Sequence, residues 1–193
     1  MPKGKRLVYD NATYHIIQRG NNKQPLFKAT KDYIKFISLI KKYKDKYNFK
    51  LYNYCLMENH VHFLMKALKK EELAKLTQGI FQSYSLYYKG KYNYLGHLYQ
   101  GRYKSLIVEK DEYLLECARY IEINPLKANI VKILKDYPWS SYTYYAYGKQ
   151  NSLLTPNPLY NIFTDSKKCK EFYKQYVLMP RMNESDLDRT FEF

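Results

Sequence analysis

Leu56-Met57-Glu58-Asn59-His60-Val61-His62-Phe63-Leu64-Met65 sets two histidines on either side of a valine inside an apolar run. Read as a strand, the stretch alternates between faces, so His60 and His62 point one way while Val61 and Phe63 point the other. Two imidazoles then face one small volume, where as neutral rings they can bind a divalent cation together. The pattern equally suits two histidines that only titrate at a strand edge. Immediately upstream, Phe49 to Met57 is rich in β-forming residues, and only Glu58-Asn59 separates it from His60 to Ala67. The two runs are expected to pair as an antiparallel hairpin, with the histidines opening its second strand. A site at a strand end, backed by a sheet yet open to solvent, suits a reaction on a large polymer.

Working outward, Thr13 to Arg19 reads as a strand with His15 and Ile17 on one face, ended by the turn-forming Gly20-Asn21-Asn22. Thr30 to Lys46 carries Tyr33, Phe36, Ile37, Ile40 and Tyr43 at helical spacing, with Thr30 or Asp32 as cap. Lys70 to Tyr88 predicts a second amphipathic helix, with Leu73, Leu76, Ile80, Tyr84 and Tyr87 along one side. Lys89 to Gly101, which contains His97, reads as a loop, either a plain surface connection or a DNA-contacting one. Tyr103 to Glu109 predicts another strand, and Asp111 caps a helix that runs through Ile123 and is ended by Pro125. Tyr137 to Tyr142 starts a short helical segment with Ser140 or Ser141 as cap. Asn151 to Pro158 is loop-like, Lys167 to Met179 predicts a last helix, and 180–193 a mobile polar tail. The expected organisation is one domain over 1–148 and a carboxy-terminal appendage over 149–193.

The 193 residues suffice for a real core. With 33 Lys and Arg against 18 Asp and Glu, the net charge of +15 predicts attraction to a polyanion, nucleic acid ahead of an acidic membrane. Twenty-four tyrosines, many interleaved with lysine, add stacking faces suited to unpaired bases, although a coding bias also enriches both residue types. Cys55, Cys117 and Cys169 are widely spaced and form no Cys-x-x-Cys pair, which disfavours a disulfide framework and a cysteine zinc site. No run approaches the roughly 18 apolar residues of a membrane span, and no signal-peptide core follows the basic start. A cytoplasmic, nucleoid-associated protein is expected.

In Arg119-Tyr120-Ile121-Glu122-Ile123-Asn124-Pro125, Tyr120 and Asn124 stand four apart and so share a helical face. A phenol and an amide oxygen can then approach one site together, although a helical tyrosine read alone is ordinarily a packing residue.

Several motifs occur in order: Tyr14-His15-Ile16-Ile17-Gln18-Arg19-Gly20-Asn21-Asn22, Cys55-Leu56-Met57-Glu58-Asn59-His60-Val61-His62, Gly96-His97-Leu98-Tyr99-Gln100-Gly101-Arg102-Tyr103-Lys104-Ser105, Glu112-Tyr113-Leu114-Leu115, Arg119 to Ala128, and Tyr137-Pro138-Trp139-Ser140-Ser141-Tyr142. With them the chain resembles the REP-associated tyrosine transposases, within the single-tyrosine HUH transposases, over roughly residues 6 to 148. The resemblance implies an α+β fold, an antiparallel ferredoxin-like sheet flanked by helices. It implies that His60, His62 and Asn124 bind Mg²⁺ or Mn²⁺ and that Tyr120 attacks a DNA phosphodiester, with Tyr113 as the rival nucleophile seven residues earlier. Arg19, Arg102 and Lys104 would sit near phosphates, and Tyr99 and Tyr103 would stack on bases, or else serve as solvated charges and packing aromatics.

The implied activity is cleavage and rejoining of single-stranded DNA at hairpins through a 5′-phosphotyrosine link, by a monomer or a homodimer. Arg119 or Lys127 would assist loss of the phenol proton. The alternative is a catalytically silent, domesticated hairpin-DNA-binding protein. The segment after Gly148 falls outside the resemblance.

Overall fold

A computed structural model describes residues 8–160 and 165–179. The elements are β1 (Thr13–Arg19), α1 (Thr30–Lys46), β2 (Phe49–Met57), β3 (His60–Ala67), α2 (Lys70–Tyr92), β4 (Lys104–Val108), α3 (Asp111–Lys127), α4 (Tyr142–Tyr147) and α5 (Ser166–Leu178). The strands lie in the order β2-β3-β1-β4, with every neighbouring pair antiparallel. This is the ferredoxin-like α+β arrangement expected from the sequence, with β1 and β3 at the centre. The predicted tail over 180–193 and the basic start lie outside the described residues.

Strand alternation sorts the sheet into two faces. Tyr14, Ile16, Val61, Phe63 and Met65 turn toward α1 and α2 and join Phe36, Ile40, Leu76, Ile80 and Tyr84 in the larger core. Cys55, Met57 and Leu64 turn the other way and pack with Leu114, Cys117, Ala118 and Ile121 of α3. Cross-strand pairing puts His15 opposite Leu64, Ile17 opposite His62, and Arg19 opposite His60, so these residues also belong to the α3 face. Cys55, Cys117 and Cys169 are all buried, and none is in a disulfide. Among the described residues, no helix is long and apolar enough to cross a membrane.

The two helices on the larger core are locked together by one carboxylate. Asp32, fully buried, accepts from the backbone N–H of Lys28 and Ala29, both at 2.9 Å, and so closes the start of α1 from its third position. It also accepts from Tyr87 Oη at 3.0 Å, Lys91 Nζ at 2.5 Å and Tyr92 Oη at 2.6 Å. Burial alone would raise its carboxyl, but the hydrogen bonds from Lys91, Tyr92, Lys28 and Tyr87 outweigh that and hold it at about 2. These bonds explain why α2 passes the predicted end at Tyr88 and continues to Tyr92, where Asn93 adopts the left-handed cap conformation. Asp32→Ala should destabilise the chain by about 2–4 kcal/mol, because buried hydroxyl and amide donors lose their acceptor together. Urea unfolding at pH 7 measures this, and a loss below about 0.5 kcal/mol would contradict the lock.

α3 also outruns its predicted end. Pro125 removes the N–H that would bond Ile121 O, which should stop the helix. Instead the Asn124 side-chain Nδ2 donates to Tyr120 O at 2.6 Å and reaches Ile121 O at 3.4 Å, and the helix continues to Lys127. Elsewhere on α3, Glu122 is fully buried. Its carboxylate accepts from Asn53 Nδ2 at 2.8 Å, from Ser141 Oγ and from Tyr173 Oη at 2.9 Å, tying α3 to β2, to the start of α4 and to α5. Burial pushes its carboxyl up to about 7, against the pull of those three bonds. The Arg119 guanidinium donates to the carbonyls of Tyr176 and Met179 at the end of α5, a favourable place for a cation.

Candidate active site

The start of β3 carries the histidine pair. The Glu58-Asn59 turn is held by the segment after β1: Glu58 O accepts from Leu26 N at 2.7 Å and Phe27 N at 3.1 Å, and Asn59 O accepts from Gly20 N at 2.8 Å. Gly20 is required at that approach, since a Cβ there would lie 2.2 Å from Gln24 O. Asn59 Oδ1 in turn lies 2.6 Å from His60 Nδ1 and orients that ring. The rings of His60 and His62 stand nearly perpendicular with centroids 4.8 Å apart, so the two share one face as the alternation predicts.

His62 is 2% exposed, and its Nε2 is buried with no hydrogen-bond partner. Its other nitrogen, Nδ1, lies 2.9 Å from His15 Nε2 on the neighbouring strand, and the two rings are near-parallel, 17° apart with centroids 5.2 Å from each other. Burial lowers His15 to about 3, and burial with the Arg19 charge lowers His60 to about 4. Burial, then the charges of His60 and His15, hold His62 well below the usual imidazole range. All three rings are therefore neutral at pH 7, the form that binds metal.

Tyr120 lies against this group, its ring edge-on to His62 at 5.7 Å and to His15 at 5.9 Å. Tyr113, two turns earlier, is 48% exposed and has the Lys110 ammonium 6.0 Å from its ring centre. The ring against the histidines is thus that of Tyr120. α3 begins beside Thr13, where Leu114 and Thr13 line a common pocket, and reaches His15 and His62 at Tyr120. It therefore runs toward the sheet end that holds His60 and Arg19, and Asn124 stands one turn, about 6 Å, further along. With its Nδ2 donating back to the helix, Asn124 has Oδ1 as its remaining acceptor. Among the described residues, no group of three or more His, Cys, Asp or Glu is arranged to hold a metal ion. The Asn124 side-chain oxygen is a donor of the type divalent cations such as Mg²⁺ and Mn²⁺ accept.

Of the two cations named as aids to the phenol, Lys127 has its Nζ 5.8 Å from the Tyr120 ring centre, whereas Arg119 is committed to the end of α5. Arg19 and Lys104 belong to the histidine face, opposite His60 and Ile17 respectively. They line one groove with Arg102, Lys23, Gln18 and Gln100. Tyr99 and Tyr103 are placed apart from the histidines, on the α2 side of the sheet. Tyr99 donates to Phe81 O at 3.1 Å and meets the Phe81 ring at 5.6 Å, and Tyr103, 9% exposed, lies 6.2 Å from the same ring. Both also line a second groove with Gln78, Gln82 and Arg102.

His15 is the site residue that sequence reasoning passed over. Its shared face with Ile17 was legible, but only the pairing of Ile17 with His62 brings it to the pair.

The family model described as transposase IS200 like matches residues 8–124, a span that includes His60, His62, Tyr120 and Asn124. A Haemophilus influenzae protein named provisionally as a REP-associated tyrosine transposase is 25% identical over 122 residues, covering 58% of this chain and 69% of that one. A solved structure of a REP-associated tyrosine transposase bound to a REP hairpin has the same fold, with a TM-score of 0.66 at 19% identity, covering 81% of this chain and 93% of that one.

Proposed function

Since the chain belongs to the IS200-like transposase family, we propose that it cleaves and rejoins single-stranded DNA at hairpin sequences, with Tyr120 as nucleophile. The observation that carries this reading is the Tyr120 ring set against a histidine whose buried Nε2 has no hydrogen-bond partner. His62 Nε2, the adjacent His60 ring and Asn124 Oδ1 make a mixed nitrogen and oxygen donor set that fits Mn²⁺, and Mg²⁺ less tightly. Such a cation, when bound, polarises the scissile phosphate and offsets the charge that develops on it.

The chain's own groups do the remainder. Tyr120 Oη attacks phosphorus, the bond to the 3′ oxygen breaks, and that oxygen leaves with a proton as a free 3′-OH. The 5′ phosphate stays on the tyrosine, so the bond energy is kept and the hydroxyl of a strand end can reverse the attack to join strands. Lys127 places a positive charge beside the ring as the phenol loses its proton. Arg19, Lys104 and Arg102 line the groove beside the histidines and hold the phosphates on either side.

Incubation of end-labelled hairpin DNA with the chain tests this reading: a covalent protein–DNA adduct should form with Mn²⁺ or Mg²⁺ and disappear with EDTA. A panel of hairpins that bind tightly yet yield no adduct would instead establish a silent binder. Binding itself should weaken steeply with salt, and neutralising Arg19, Arg102 or Lys104 singly should reduce the log–log slope by about 0.7–0.9 each. An unchanged slope in all three variants, measured by fluorescence anisotropy from 50 to 300 mM salt (about the range where such slopes are resolved), would remove these residues from the interface.

A further inference from the structure

The bond between His15 Nε2 and His62 Nδ1 is buried at mid-strand, on the side of His62 away from His60 and the open strand end. Between two neutral imidazoles only one hydrogen can occupy such a bond, so the pair has two arrangements. In one, His15 Nε2–H donates, and His62 must then carry its own proton on Nε2. That hydrogen covers the nitrogen proposed to bind the cation, so this arrangement cannot take a cation through His62 Nε2. In the other, His62 Nδ1–H donates to His15, and the His62 Nε2 lone pair is left bare.

We propose that His15 is a positioning residue that accepts from His62 Nδ1–H and so holds His62 in the one tautomer able to bind a divalent cation through Nε2. The proposal rests on the reading of His60 and His62 as a cation-binding pair. His15 is not a third ligand, because its Nε2 is directed at His62 and its ring is wholly buried. The two rings lie near-parallel, 17° apart with centroids 5.2 Å from each other, so the bond fixes the tilt of the His62 ring as well as its proton. The edge of the same ring meets Tyr120 at 5.9 Å, so one side chain buttresses both the ligand and the nucleophile. Partners of this kind fix the tautomer and raise the basicity of a metal-bound imidazole.

Three variants and one spectroscopic measurement decide it. Mn²⁺ binding, followed by loss of the free-ion EPR signal, should weaken about 10–100-fold in His15→Leu, which offers no acceptor. It should return to within about threefold of the wild type in His15→Gln, whose Oε1 accepts from Nδ1–H. His62→Ala should abolish specific Mn²⁺ binding. If it does not, the cation-binding reading of the pair falls, and the role of His15 falls with it. If His62→Ala abolishes binding but His15→Leu binds as the wild type does, only the positioning role is overturned.

Because His15→Leu can unfold the core, the tautomer is also read in the unaltered, metal-free chain by long-range ¹H–¹⁵N correlation. His62 should show a protonated Nδ1 and a bare Nε2, and the reverse pattern overturns the proposal.

Discussion

Tyr120→Phe should reduce covalent adduct formation with hairpin DNA by about three orders of magnitude or more, while leaving hairpin affinity within about twofold of the wild type. The phenylalanine keeps the ring that packs edge-on against His15 and His62, so the histidines retain their neighbour and the fold its buried aromatic. Only the phenol oxygen, the proposed nucleophile, is lost. Tyr113→Phe should leave the adduct intact, since that ring is half exposed beside Lys110 rather than against the histidines. An adduct that survives Tyr120→Phe and vanishes in Tyr113→Phe would reverse the assignment. It would require the first turn of α3, not its middle, to reach the scissile phosphate. Lys127→Gln makes a graded companion: adduct formation should slow, with the loss partly recovered at higher pH, because the ammonium stands beside the ring that must give up a proton.

The elements around His60 and His62 were legible because their patterns are strict. The β2–β3 hairpin has two unbroken β-rich runs with a two-residue join, and α1 has a full apolar stripe, so both emerge with the predicted bounds. What the pattern could not contain is register. Alternation puts His15 and Ile17 on one face and His60 and His62 on one face, but nothing local states that Ile17 pairs with His62 and so brings His15 within 2.9 Å of it.

The helix ends failed for a related reason, since both depend on distant partners or on side chains replacing backbone bonds. Lys91 and Tyr92 extend α2 because Asp32 of another helix receives them. α3 survives Pro125 because the Asn124 amide turns back onto the carbonyls of the preceding turn. Tyr99 and Tyr103 show the limit of reading chemistry from residue type. Both sit in a basic, tyrosine-rich stretch, yet their rings pack onto Phe81, and any stacking on bases has to use the faces that remain toward the groove with Gln78 and Gln82.

In EDTA, the chain should lose on the order of 5 kcal/mol of stability between pH 8 and pH 4.5, a large share of the ~5–15 kcal/mol typical of a domain. Three histidines drive the loss. His15 and His60 are lowered to about 3 and about 4 in the folded chain, and His62 also lies well below its usual value of 6.5. A lowered histidine means that the unfolded chain binds the proton more tightly. Stability from these groups is therefore whole above pH 6.5 and falls as pH drops toward the folded values, by about 1.4 kcal/mol per group for each pH unit.

Glu122 works in the opposite direction. Its carboxyl is raised to about 7, so the folded chain binds that proton more tightly and the contribution grows as pH falls from 7 to 4.5. One carboxyl offsets less than half of what three imidazoles lose. Urea midpoints at pH 8, 6.5, 5.5 and 4.5 (values chosen to bracket the ~6.5 of a free histidine) should therefore descend below 6.5. Glu122→Gln should separate the two contributions, steepening that descent while raising stability at pH 8, where the wild-type chain keeps a buried carboxylate charged. Saturating Mn²⁺ should lift the midpoint at pH 8 and lose its effect as His60 and His62, the proposed ligands, take up protons. A midpoint flat from pH 8 to 4.5 would mean that the histidines are not buried as neutral rings, and would remove the ligand-ready state on which the cation site depends.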